Sequence, residues 1–99
     1  MDLIFLLGAE VEIQAAYGRF EELQEGRGEI FMRCLDAALM LLRSHPRIGP
    51  AYAGPYRRLL VRRFPYGVFY EVQAGRIVVS AVMDLRQSPQ AIHRRLFGG

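Results

Sequence analysis

The spacing of apolar residues in this 99-residue chain changes once, near Pro46, and that change limits the folds open to it. Between residues 9 and 44, apolar side chains recur at three- and four-residue intervals, which is typical of amphipathic helices. Between residues 57 and 85 they alternate with other side chains, as in strands. Helices followed by a run of strands predict an α+β fold.

The predicted fold is a small twisted, mainly antiparallel sheet with an N-terminal helical hairpin, in the order β-α-α-β-β-β-α. Gly8 ends the first strand, and the sequence Gly26-Arg27-Gly28 separates the two helices. Three prolines and two glycines predict a loop over residues 46–55. The predicted elements are a strand at 2–7, helices at about 9–24 and 29–44, strands at 57–64, 66–73 and 76–85, and a short last helix from Ser88-Pro89-Gln90.

Strict alternation predicts which side chains share a face of the sheet. In the second of the three C-terminal strands, Tyr66, Val68 and Tyr70 share one face, and Phe69 lies on the other. The third is predicted to carry one set on each face: Ile77, Val79, Ala81, Met83 and Leu85 against Val78, Ser80, Val82 and Asp84.

Composition places the chain among small single-domain proteins, here residues 1–99, with enough apolar material, 52%, for one core. A single cysteine, Cys34, excludes an intramolecular disulfide and is expected to be a small buried apolar residue. The two histidines and one cysteine lack the spacing of metal ligands, so no metal site is expected. The chain also lacks a glycine-rich phosphate loop, so no cofactor is expected. Without a signal segment or a membrane-spanning apolar run, the expected compartment is the cytoplasm.

Charge is distributed unevenly along the chain. Residues 1–45 hold eight acidic residues and four arginines, whereas residues 46–99 hold two acidic residues and nine arginines. All 13 basic residues other than histidine are arginine, whose planar guanidinium suits phosphate and carboxylate groups and is a poor proton acceptor. The C-terminal half is therefore predicted to carry an electropositive face.

Residues 56–70 read YRRLLVRRFPYGVFY and gather four of these arginines. Within one strand, Arg58 and Arg62 would share one face and Arg57 and Arg63 the other. So dense a set favours a phosphate-bearing or acidic partner. The alternative is a solvated face that pairs with the acidic helices and contributes little stability.

Residues 48–50 (IGP), 57–72 (RRLLVRRFPYGVFYEV) and 75–89 (GRIVVSAVMDLRQSP) resemble the RelE/ParE toxin superfamily, and most closely its ParE-like plasmid-stabilisation branch. The resemblance implies the toxin of a type II toxin–antitoxin module, held in a hetero-oligomer with a cognate antitoxin that neutralises it. ParE-like members inhibit DNA gyrase without chemistry of their own. RelE-like members are endoribonucleases that cleave mRNA on the ribosome, and this remains the alternative, so the resemblance leaves open whether the chain is an enzyme.

The chain departs from many ParE-like relatives at the end of its last strand. Where they carry a pattern like Leu-His-x-Arg-Arg-x-Pro, this chain has Asp84 in place of the histidine and Gln87 in place of the second arginine. A third interpretation is therefore an inactivated relative that only binds its antitoxin.

Each interpretation assigns residues to the site. An endoribonuclease would use Arg63 and Arg86 as cations and His93 as the titratable group, with Glu71 and Asp84 as other possible bases. Two tyrosines, 66 and 70, are candidates to stack a base. The residues expected to contact a target or an antitoxin are Arg57, Arg58, Arg62, Arg63, Tyr66, Tyr70, Arg86, Arg94 and Arg95.

Overall fold

A computed structural model describes residues 1–98, which form three helices and five strands. The α+β class and the predicted element order are confirmed, with one short strand added inside the segment predicted as a loop. The elements are β1 (Asp2–Phe5), α1 (Leu7–Leu23), α2 (Arg27–Ser44), β2 (Ala51–Ala53), β3 (Tyr56–Val61), β4 (Tyr66–Gln73), β5 (Arg76–Asp84) and α3 (Pro89–Phe97). None of the helices in this part of the chain is long and apolar enough to cross a membrane.

The strands form one sheet in the order β1-β5-β4-β3-β2. β1 runs parallel to β5, and the other neighbours are antiparallel. β1 is short and pairs only with residues 76–79, so residues 80–84 of β5 continue beyond the end of their neighbour. This length of strand edge has no neighbouring strand, so other groups must satisfy its backbone.

The helical hairpin α1–α2 packs on one face of the sheet and encloses the main core. Four rings meet at the centre of this layer, with centroids 4.8–5.8 Å apart and mostly edge-to-face geometry. They are Phe20 of α1, Phe31 of α2, Phe64 of the β3–β4 turn and Tyr66 of β4. This ring cluster connects both helices of the hairpin to the end of the sheet where β3 turns into β4.

Helix α3 packs on the opposite face, through Ile92 and Leu96 against Phe69, Ala81 and Met83. Its predicted start is confirmed at residue 89, with the preceding serine as the N-cap. The Ser88 Oγ accepts a hydrogen bond from the Ala91 amide at 3.1 Å, and a proline occupies the first turn.

The prediction of uninterrupted alternation along β5 is wrong after Val79. Phe69 pairs with Ala81 and Tyr70 pairs with Val79, so Ser80 has no residue opposite it. This β-bulge inserts one residue and reverses the facing of the rest of the strand. As a result, Ile77 and Val79 face the hairpin, Ala81 and Met83 face α3, and Val82 faces the hairpin again.

Two predicted strand ends also differ from the structure. β1 ends at Phe5, and Gly8 lies inside α1 instead of breaking the chain. β3 ends at Val61, so Arg62 and Arg63 belong to the turn before β4 and do not lie on opposite faces of a strand. The left-handed backbone of Arg63, with φ 71°, is incompatible with a continuing strand.

Candidate functional site

An apolar groove of about 530 Å³ lies between α2 and the end of β3. Two of its leucines are well exposed, Leu41 by 40% and Leu60 by 55%. Its lining comprises Cys34, Ala37, Ala38, Leu41, Leu59 and Leu60, together with Arg33, Arg62 and Arg63. Cys34 is only partly buried and forms part of this surface. As far as the described residues go, the groove therefore combines apolar side chains with three positive charges and no carboxylate.

The arginines of the groove are not neutralised by the acidic helices. Within residues 1–98, the two ion pairs are Arg86–Asp84 and Arg95–Glu12, and neither involves residues 57–63. In the described part of the chain, the ion pairs to the acidic helices that the alternative interpretation expects are therefore not formed by residues 57–63. Arg62 and Arg63 are both exposed in the β3–β4 turn.

The first arginine pair of the stretch stabilises the fold instead. The Arg57 Nη1 donates hydrogen bonds to the carbonyls of Gly49 at 2.8 Å and of Arg47 at 3.2 Å. The guanidinium of Arg58 lies 5.2 Å from the ring centroid of Tyr52, within range of a cation–π interaction. Both side chains are half-buried. Arg57 holds the segment before β2, and Arg58 contacts β2 itself.

Asp84, the residue at which the sequence departs from the expected ParE-like pattern, is held by Arg86. The carboxylate accepts from Arg86 Nε at 3.0 Å, from Nη2 at 2.7 Å and from the Arg86 amide at 2.9 Å. Hydrogen bonding to the Arg86 side chain is the main reason that the pKa of Asp84 lies below its usual range. A carboxylate with a lowered pKa is a weak base, and the guanidinium that it binds is already occupied.

Asp84 also lines a cleft of about 160 Å³ beside α1. Arg19 lies in the same cleft and donates a hydrogen bond to the hydroxyl of Tyr66. Glu12 and Arg19 are polar residues of this region that the sequence did not single out. On a helix the two read as ordinary solvated positions, and only the packing of α1 against β5 brings them to the sheet.

The expectation that Tyr66 and Tyr70 stack a nucleic-acid base is wrong for this structure. Their exposed fractions are 1% and 0%, because alternation along β4 points both rings into the core beneath the hairpin. The Tyr70 hydroxyl accepts a hydrogen bond from the Gly49 amide at 3.0 Å, and burial raises the pKa of Tyr70. Neither ring is available as a stacking platform.

The three residues proposed for RNA cleavage lie on different elements. Arg63 borders the groove on the hairpin side, while His93 belongs to α3 on the opposite face of the sheet. The His93 ring stacks on Phe97, with centroids 4.5 Å apart and an interplanar angle of 32°. Arg86 follows β5 and pairs with Asp84.

The two arginines of α3 have different roles. Arg94 is exposed, whereas Arg95 bonds Glu12 of α1 and the carbonyl of Ser80 in β5. Of the nine residues predicted to contact a partner, the structure therefore brings only Arg62 and Arg63 together at the groove. Arg57, Arg58 and Arg95 contact other parts of the chain.

Comparison with known proteins agrees with this architecture. The family model of the ParE toxin of the type II toxin–antitoxin system parDE matches residues 3–89, most of the chain. A solved structure described as the chromosomal ParDE TA system from P. aeruginosa has the same fold, with a TM-score of 0.77 and 17% identity. That alignment covers 87% of this chain and 97% of the other. No curated protein sequence matches the chain significantly. The chain belongs to the ParE toxin family of type II toxin–antitoxin systems.

Proposed function

We propose that this toxin acts in the cytoplasm by binding DNA gyrase, without catalysing a reaction of its own, and that a cognate antitoxin neutralises it. Membership of the ParE family supports the proposal. The observation that carries it is the Asp84–Arg86 pair, which occupies the carboxylate and the guanidinium that an RNA-cleaving site would need free.

Cleavage of RNA requires a base, an acid and cations placed around one phosphate. Asp84 is a poor base because its pKa is lowered, and His93 is separated from Arg63 by the thickness of the sheet. The candidate groups therefore do not converge, which favours action by binding over ribosome-dependent cleavage.

We propose that the antitoxin occupies the α2–β3 groove. An apolar surface bordered by unpaired arginines suits an amphipathic segment that carries acidic residues, because its apolar side would cover Leu41 and Leu60 while its carboxylates meet Arg33, Arg62 and Arg63.

Gyrase inhibition can be tested directly with purified components. We expect the toxin to block supercoiling of relaxed plasmid by gyrase, and the antitoxin to restore it. Unchanged supercoiling at toxin excess would exclude the proposal. Primer extension on translated mRNA after induction separates the alternative, since new cleavage sites would identify an endoribonuclease. Normal growth after induction without antitoxin would identify an inactivated relative.

The groove can be tested with matched surface variants. Leu41→Asp and Leu60→Asp each place a carboxylate on the apolar surface among the arginines, so each is expected to abolish co-purification with the co-expressed cognate antitoxin. Val11→Asp is the control, since Val11 is 59% exposed on α1 and does not line the groove. Equal loss in all three variants, or in none, would contradict the assignment.

A further inference from the structure

Arg63 is the one residue other than glycine with a positive φ among residues 1–98. L-amino acids avoid this left-handed region because Cβ approaches the following carbonyl oxygen, so glycine or asparagine is usual at such turn positions. The β3–β4 turn would therefore form more readily with either residue. Arginine at this position therefore makes the turn less stable than glycine or asparagine would.

The two residues that follow Arg63 have structural roles in the fold, whereas the side chain of Arg63 has none. Phe64 is buried among the core rings, and the carbonyl of Pro65 accepts a hydrogen bond from the Leu85 amide at 2.7 Å. The Arg63 side chain is exposed and takes part in neither ion pair of the described residues. A strained, exposed and unpaired side chain is more readily explained by a partner than by folding.

Arg63 combines this left-handed backbone with a place in the lining of the α2–β3 groove, on the same surface as Arg33 and Arg62. We propose that Arg63 makes the groove selective for a negatively charged partner segment. Its guanidinium pairs with a carboxylate on an amphipathic protein segment whose apolar side chains cover Leu41 and Leu60. This inference rests on the proposed binding of the antitoxin in the groove and assigns its specificity to one residue.

The lining favours a protein segment over nucleic acid. Single-stranded nucleic acid is usually held by aromatic side chains on which its bases stack, and none of the aromatic residues within 1–98 lines this groove. Its uncharged lining is aliphatic apart from Cys34, which suits leucine-like side chains. A guanidinium at the edge of such a surface is suited to bidentate pairing with a carboxylate.

The proposal predicts that stability and binding change in opposite directions at this one position. Arg63→Asn removes the charge and lowers the backbone strain, because asparagine tolerates the left-handed region better than arginine, so we expect Tm to rise by about 4 °C while affinity falls about tenfold. Arg63→Lys keeps the strain and a positive charge but lacks the planar guanidinium that can bind a carboxylate through two hydrogen bonds. We therefore expect an unchanged Tm and a smaller loss of affinity. Arg62→Asn is the matched control, because it removes a neighbouring charge at an ordinary φ and should not raise Tm.

The probe is a labelled synthetic amphipathic helix of about 18 residues, with leucine at helical spacing and glutamate on both flanks. A second peptide has glutamine for glutamate, and a single-stranded DNA oligonucleotide is the third ligand. Fluorescence anisotropy with the full chain measures each affinity, and thermal denaturation measures Tm. We expect the glutamate peptide to bind more tightly than the other two ligands, and Arg63→Asn to remove most of that preference while raising Tm.

Four results would overturn the inference. They are no binding of the glutamate peptide, equal binding of the two peptides, an unchanged peptide affinity in Arg63→Asn, and a loss confined to DNA binding. A fall in Tm for Arg63→Asn would likewise remove its basis in strain. These measurements do not depend on gyrase, so a toxin that leaves supercoiling unchanged would refute the proposed function while leaving the assignment of Arg63 to stand on the peptide data.

Discussion

Glu12 and Arg95 form an ion pair across 83 residues of sequence, with 3.0 Å between Oε2 and Nε. Each partner also bonds the backbone of β5, because Glu12 Oε1 accepts from the Val82 amide at 3.1 Å and Arg95 Nη2 donates to the Ser80 carbonyl at 2.9 Å. The pairing of β1 with β5 ends at Val79. The two side chains thus satisfy part of the strand edge that β1 leaves uncovered, and they join α1, β5 and α3.

Glu12→Ala and Arg95→Ala should each destabilise the chain by about 1–2 kcal/mol, because each leaves a backbone group of β5 without its partner. The side chains are partly exposed, so the coupling energy from the double variant is expected to be only about 0.5–1 kcal/mol. Urea denaturation followed by circular dichroism measures all three. Arg94→Ala is the control and should change stability little, and a comparable loss there would contradict a specific role for Arg95.

Gly8→Ala should have opposite effects in two backgrounds. A Cβ at Gly8 would collide with the Arg95 guanidinium, so the substitution is expected to displace that side chain from Glu12 and Ser80 and to lower stability. In the Arg95→Ala background the collision is gone, and alanine is preferred to glycine within a helix by about 1 kcal/mol.

Thermal denaturation of the four chains, wild type, both single variants and the double variant, tests this reversal. We expect Gly8→Ala to lower Tm in the wild type and to raise it in Arg95→Ala. The same sign in both backgrounds would show that Gly8 is required for a reason other than Arg95.

Tyr70→Phe should lower stability by about 1–2 kcal/mol, although the ring remains in place. The Tyr70 hydroxyl is the acceptor for the Gly49 amide, and both residues are buried, so the variant leaves that amide unpaired. The control is Tyr52→Phe, at a ring that packs edge-on against Phe69 in a less buried position. Chemical denaturation of both variants should give a clearly larger loss for Tyr70→Phe, and equal losses would contradict this account.

Asp84→Asn should produce a stability loss that depends on pH. The pKa of Asp84 is lowered in the folded chain, so its pairing with Arg86 stabilises the fold above the unfolded pKa of about 3.9 and ceases to do so as the pH falls through the folded value. The difference in Tm between wild type and Asp84→Asn is therefore expected to be constant near neutral pH and to vanish in strong acid. A difference that persists unchanged at the lowest pH would show that ionisation of Asp84 is not its source.

Local periodicity was sufficient for most of the fold. The three- and four-residue spacing along α1 and α2 and the alternation along β4 each reflect how one element meets the core, so neighbouring residues contain the information. The bulge at Ser80 could not be predicted in this way. It depends on the register in which β5 pairs with β4. Because the residues on both sides of Ser80 are apolar, the sequence does not determine which of them face the hairpin and which face α3.

The charged residues mark the limit of sequence reasoning more sharply. Counting arginines between residues 57 and 63 identified a basic segment, and strand alternation then divided it incorrectly because β3 ends at Val61. Whether a guanidinium is free or occupied depends on what the fold places beside it. Arg57 and Arg58 contact carbonyls and a ring, whereas Arg62 and Arg63 border the groove.

The sequence by itself determined the α+β class, the helical hairpin, the succession of the main strands and the resemblance to ParE-like toxins, because these depend on short-range patterns. Only the tertiary structure decided which side chains can act on a partner. It buried Tyr66 and Tyr70, paired Asp84 with Arg86, and left Arg63 strained at the groove. Such contacts join residues far apart in sequence through strand register and helix packing, and no local pattern encodes either of these.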